Sequence, residues 1–112
     1  MVLRIEVILE KIMLNPVMEL VTFKINANCT PEAFAAACEP VNVWVRTQPG
    51  FQSRTVSRNQ EGTWFDVIFW DSAESANTAA AKIMVELGKS EFMTMIESSS
   101  IQMQHPQIVS RS

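Results

Sequence analysis

Residues 64–70 read WFDVIFW, and this heptapeptide restricts the fold of the chain more than any other stretch. Aromatic and β-branched residues crowd it, which is the composition of a strand. Side chains alternate across a sheet, so Phe65, Val67 and Phe69 point one way while Trp64, Asp66, Ile68 and Trp70 point the other. Large apolar groups dominate both faces, and both need cover.

The rest of the chain predicts helices enough for one face only. Residues 18–25 form a first strand, with Val21, Phe23 and Ile25 on one side and Leu20 and Thr22 on the other. Thr30 and Pro31 mark a helix start, because a threonine hydroxyl accepts from an orphan amide and proline at the first helical position loses nothing. Phe34, Ala37, Cys38, Val41, Trp44 and Val45 continue at helical spacing through Pro40, which predicts a kinked or broken helix ending at Pro49 and Gly50. Residues 51–58 are a second strand, joined to the third as a hairpin. Gly62 supplies its left-handed residue, which pairs Asn59 with Thr63 and sets Val56 opposite Asp66, with Arg54 and Arg58 as diagonal neighbours. Asp71 or Ser72 caps a second helix whose stripe is Ala76, Ala80, Ile83, Met84 and Leu87, and Gly88 stops it. Ser90 caps a short helix burying Phe92 and Ile96, and residues 100–109 form the last strand.

Strand, helix, strand, strand, helix, strand is the split βαβ order, in which both main helices lie on one face of a four-stranded antiparallel sheet. The fold class is therefore α+β, ferredoxin-like. With 112 residues there is room for one core. Leaving Trp64, Ile68 and Trp70 in water would forgo about 1.5–3 kcal/mol per side chain and expose a contiguous patch. We expect that set to be hidden by an identical sheet, giving a homodimer and a dimeric α/β barrel able to enclose one small ligand.

Residues 1–16 read as an extension outside the domain of residues 17–112. They satisfy both periods, with Leu3, Ile5, Val7 and Leu9 alternating as in a strand and Ile5, Ile8, Leu9 and Ile12 recurring as in a helix. A true start at Met13 or Met18 is an alternative. Arg4, Glu6, Glu10 and Lys11 interrupt the apolar stretch a signal peptide needs, and no apolar run reaches membrane-spanning length. The expectation is a cytoplasmic protein without a membrane partner. A net charge of -3 and 47% apolar residues argue against disorder and against nucleic acid, since Arg46, Arg54 and Arg58 are the sole local concentration of positive charge. Cys29 and Cys38 lie outside any metal-ligating or redox spacing.

The segments PGFQSR and GTWFDVIFWDS, the alanine-rich helix after Ser72, and EFMTMIESSSIQMQH resemble the antibiotic-biosynthesis-monooxygenase-like branch of the dimeric α/β-barrel superfamily, over about residues 17–109. The resemblance implies the fold and dimerisation. Activities among such proteins range from cofactor-free oxidation of aromatic polyketides through haem degradation to none known. This chain has no tyrosine, so a tyrosine-assisted quinone-forming site does not carry over. Its one histidine, His105, lies in the last strand, whereas haem-degrading relatives carry an axial histidine on the helix that here bears Asn77. Trp70 resembles the barrel tryptophan of those relatives.

Asp66 is the most informative candidate. A carboxylate between Trp64 and Ile68 either pairs with Arg54 or Arg58 to order the wall, or serves as a general base or substrate-orienting group. His105 alternates with Ile101 and Met103, and is either a hydrogen-bonded core residue or a proton carrier reaching the same cavity. Trp64 and Trp70 are either packing or a stacking platform for a flat ligand, with Arg54 and Arg58 completing a substrate pocket. There is no phosphate loop, nucleophile elbow or metal motif, so no metal or cofactor is expected. The leading reading is a monooxygenase-like homodimer that oxidises a small aromatic compound without a cofactor. The alternatives are a non-catalytic ligand-binding dimer and a purely structural one, with haem degradation behind both.

Overall fold

The computed structural model describes residues 16–112. In chain order they form β1 (Val17–Phe23), α1 (Pro31–Arg46), β2 (Phe51–Arg58), β3 (Trp64–Trp70), α2 (Ala73–Leu87), α3 (Glu91–Met95), a 3-10 turn (Ser98–Ser100) and β4 (Gln102–Gln104). The strands lie in the order β2-β3-β1-β4, all pairings antiparallel, which is the ferredoxin-like fold. The reading of the first residues as an extension lies outside the described residues.

Local chemistry accounts for each element. Thr30 Oγ1 accepts from the Ala33 amide at 3.1 Å, Ser72 Oγ from Ser75 at 3.1 Å and Ser90 Oγ from Met93 at 3.4 Å, so each helix begins on a hydroxyl cap. In the hairpin the Asn59 amide donates to the Thr63 carbonyl at 3.0 Å, Gly62 takes φ +83°, and Val56 stands opposite Asp66. Helix α1 buries Phe34, Ala37, Cys38, Val41 and Val45 against the sheet. Phe34 meets Trp64 edge-on at 4.7 Å and stacks with Phe92 at 5.1 Å, while a second cluster joins Val45, Ile68, Trp70, Ala76 and Ala79.

The tryptophan face is the one that the helices cover, which reverses the expectation that a partner hides it. Trp64, Asp66, Ile68 and Trp70 are buried by the chain's own α1, α2 and α3, and the open face carries half-buried Phe65, Val67 and Phe69 instead. The connection rules set the side on which the helices lie, and the phase of the pleat decides which side chains point there. A strand apolar on both sides hides that phase. Met18 and Leu20 of β1 pair with Phe69 and Val67, so the open face has an apolar centre two strands wide, bordered by Ser53, Thr55, Gln102 and Gln104. Arg111 lies over one end of it, 4.1 Å from the Phe69 ring.

Three smaller corrections have local causes. Helix α1 runs unbroken through Pro40, because Pro40 and Ala36 sit on its exposed side, where water satisfies the carbonyl that proline leaves unpaired. Strand β4 spans Gln102–Gln104 only, bounded by the turn before it and by Pro106, which has no amide to donate. Helix α2 buries Ala76 and Ala79, whereas Ala80 and Met84 of the expected stripe are exposed.

Candidate functional site

Alternation along β1, β2 and β3 brings a set of polar groups under the helices. Ile68 is flanked by Glu19 on β1 and Arg54 on β2, and Asp66, one pleat further along β3, is diagonal to both. Arg54 grips Asp66 with Nε to Oδ1 at 3.0 Å and Nη2 to Oδ2 at 2.8 Å, a bidentate pair. Its remaining terminal nitrogen donates to Asn42 Oδ1 at 2.8 Å and to the Cys38 carbonyl at 3.4 Å, and the guanidinium lies 5.3 Å from the Phe92 ring centroid. Of the two arginines considered for Asp66, the register selects Arg54. Burial pushes the Cys38 thiol up, with Arg54 opposing and Asp66 reinforcing the shift, so Cys38 serves as a small apolar group.

Glu19 was not anticipated as a site residue. It is 7% exposed and accepts one hydrogen bond, from Trp70 Nε1 to Oε1 at 3.3 Å. Burial raises its pKa above the ordinary carboxylate value, the Trp70 hydrogen bond and His105 pull it down, and Asp66 pushes it up again. The signal in the sequence was its position: a carboxylate between Val17 and Val21, on the same side of β1 as Val21 and Phe23.

These groups open on a cavity of about 250 Å³ between the sheet and the helices. Glu19, Arg54 and Asp66 give its charged lining, with Trp70 and Ile68 on the floor, Trp44 and Val45 from α1, and Ala80, Ile83 and Met84 from α2. Met84 of α2, Ile101, and Met103 of β4 also line it, and all three are exposed. The lining is apolar apart from those few groups, the arrangement of a small-molecule pocket.

Asp66, Arg54 and Trp70 thus share one cavity. Trp64 is buried against Phe34 and does not line it, Arg58 is exposed with its guanidinium 5.6 Å from the Trp64 ring, and His105 is exposed and reaches the site only through its charge on Glu19. Asn77, at the place of the haem-degrading relatives' axial histidine, is exposed on α2.

No family model matches the chain, and no curated protein does. Solved structures do. SnoaB, a cofactor-independent oxygenase from Streptomyces nogalater, superposes with a TM-score of 0.59 at 16% identity, over 88% of this chain and 95% of that one. A candidate antibiotic biosynthesis monooxygenase from Bacteroides thetaiotaomicron gives 0.67 at 13% identity, over 88% and 93%. A dimeric ferredoxin-like protein from an uncultured marine organism gives 0.65 at 16% identity, over 88% and 91%. The structural neighbours thus include proteins described as antibiotic biosynthesis monooxygenases, and at these identities the likeness establishes the shared fold alone.

Proposed function

We propose, from a fold shared with a cofactor-independent oxygenase and its structural relatives, that this chain binds a small aromatic compound and oxidises it without a bound cofactor. The observation that carries the reading is the cavity of about 250 Å³, apolar but for Glu19, Arg54 and Asp66. Its volume sits at the small end for ligand pockets and suits a compound of a few fused rings. Trp70 offers an aromatic wall, and Arg54 holds Asp66 in place for orienting a polar substituent. The alternative is a ligand-binding protein without turnover. It draws support from the Arg54–Asp66 pair, in which every carboxylate oxygen is already satisfied. Thermal shift against aromatic polyketides, haem and flavins, followed by oxygen consumption with each hit, separates these readings. Stabilisation and oxygen uptake with an aromatic compound support oxidation; stabilisation without uptake leaves binding alone; no stabilisation by any of them removes the pocket reading.

The working unit in this proposal is a homodimer formed through the open face. Met18, Leu20, Phe65 and Val67 make an apolar centre that a second copy covers by two-fold symmetry, as a closed alternative to exposing it. A structural neighbour is itself described as dimeric. Such pairing joins sheets back to back and leaves each cavity within its own subunit.

A further inference from the structure

Three observations set Glu19 apart from the other polar groups of the cavity. Among the described residues Arg54 is the only cation in the lining, and all three of its nitrogens are engaged, two on Asp66 and one on Asn42 and the Cys38 carbonyl. Asp66 is correspondingly complete, with a donor on each oxygen. Glu19 is as deeply buried as Asp66, yet only its Oε1 is bonded, to Trp70, and Oε2 has no hydrogen-bond partner among the described residues. No inaccessible side-chain polar atom is left without a partner among the described residues, so Oε2 is available to a donor entering the cavity.

We propose that Glu19 is the ligand-contacting polar residue of this cavity, which binds a hydroxyl or carbonyl oxygen of an uncharged ring compound through Oε2 and discriminates against anions. The inference rests on the small-molecule reading above and adds to it the residue that sets specificity. A protonated Glu19 donates to a ligand carbonyl, and in either form it accepts from a ligand hydroxyl. An anionic ligand meets no free cation among the described lining residues, and an ionised Glu19 repels it across a poorly solvated space. Binding an anion therefore demands that Glu19 take up a proton, so anion affinity falls as pH rises, while that of a neutral ligand changes little.

Other groups act on the same carboxyl. Asp66 on β3 and His105 after β4 bear on it electrostatically, with Arg54 on β2 and Cys38 on α1 beyond Asp66. The lining residues of α2 and α3, Ala79, Ala80, Ile83, Met84, Phe92 and Met93, carry no titratable group. His105 is a charged neighbour of Glu19 outside the lining, so a variant at His105 separates its effect from that of Glu19 itself.

The test is calorimetric titration of the full chain with naphthol and with naphthoate, across about pH 5 to 8, which lies above the ordinary carboxylate value. Naphthol stays uncharged there and naphthoate stays ionised. Near neutrality the wild-type protein should bind naphthol at least roughly tenfold more tightly than naphthoate, a gap equal to about one unit of proton linkage, and the gap should close as pH falls. Glu19→Gln should abolish the gap and its pH dependence. Glu19→Asp, which keeps the acid but withdraws it, should weaken naphthol binding, and His105→Gln should keep the wild-type profile. Equal affinity for both compounds, or an unchanged profile in Glu19→Gln, overturns this inference and leaves the cavity reading intact. A profile lost in His105→Gln and kept in Glu19→Gln assigns the effect to the histidine and also overturns it. Binding of neither compound removes the cavity reading, and this inference with it.

Discussion

Arg54 and Asp66 form a two-pronged ion pair beneath α1, with hydrogen bonds of 3.0 and 2.8 Å and side chains only 2% and 10% exposed. The pair ties β2 to β3 across the sheet and, through Asn42 and the Cys38 carbonyl, ties both strands to α1. A wall of the cavity and a structural joint are here the same side chains.

Breaking this pair on one side should be costly. Arg54→Met leaves Asp66 buried without its partner and should lower unfolding free energy by about 3–5 kcal/mol, whereas the double change Arg54→Met with Asp66→Leu should recover most of that loss. Urea denaturation of the two single variants and the double variant measures the coupling. If Asp66→Asn leaves ligand binding and turnover unchanged and alters stability alone, Asp66 is structural.

Glu19 should make stability depend on pH. Its folded pKa lies above the unfolded value of 4.5, so the folded state binds more protons than the unfolded chain in the interval between. The contribution is fully present below about 4.5 and is lost as pH rises through the raised folded value. Glu19→Gln should remove that loss, so its Tm relative to wild type should climb by a few degrees from acid to neutral pH. A constant difference across pH would contradict the burial-driven shift.

Gly50 and Gly62 share a φ of +83° but differ in surroundings. A Cβ on Gly62 would meet open space, while one on Gly50 would overlap Ser75 Oγ and Asp71 Oδ1, where the start of α2 packs onto the turn before β2. Gly62→Ala should cost about 1–2 kcal/mol for the left-handed backbone alone. Gly50→Ala should cost clearly more, and thermal unfolding of the two variants side by side shows the difference.

The homodimer is tested at the centre of the open face. Val67→Glu places a charge between Leu20 and Thr55 without touching the helix side of β3. Light scattering should show a dimer for the wild-type chain at micromolar concentration and a monomer for the variant, with the same circular dichroism spectrum. A wild-type monomer would rule the pairing out.

Much of this was legible in the residues because it depends on neighbours in sequence. The hydroxyl caps at Thr30, Ser72 and Ser90, the left-handed Gly62 and the Val56–Asp66 register all follow from chemistry within a few residues, and the order of elements then leads to the ferredoxin-like sheet. The pairing of Asp66 with an arginine was also foreseeable, since an unpaired carboxylate between Trp64 and Ile68 would be too costly to bury.

What the chain alone left open was orientation. Two apolar faces on β3 look alike until the helices choose one, and a pleat shifted by a single residue would exchange every side chain between cavity and open face. That choice, made by packing Phe34, Val45 and Ala79 onto Trp64, Ile68 and Trp70, moved the tryptophans inside. It also gathered Glu19, Arg54 and Asp66 around one space, although Glu19 on β1 is far in sequence from the β2–β3 hairpin that carries the other two. Local preference determines which elements form, whereas burial that is non-directional and shared among distant elements determines which side chains meet.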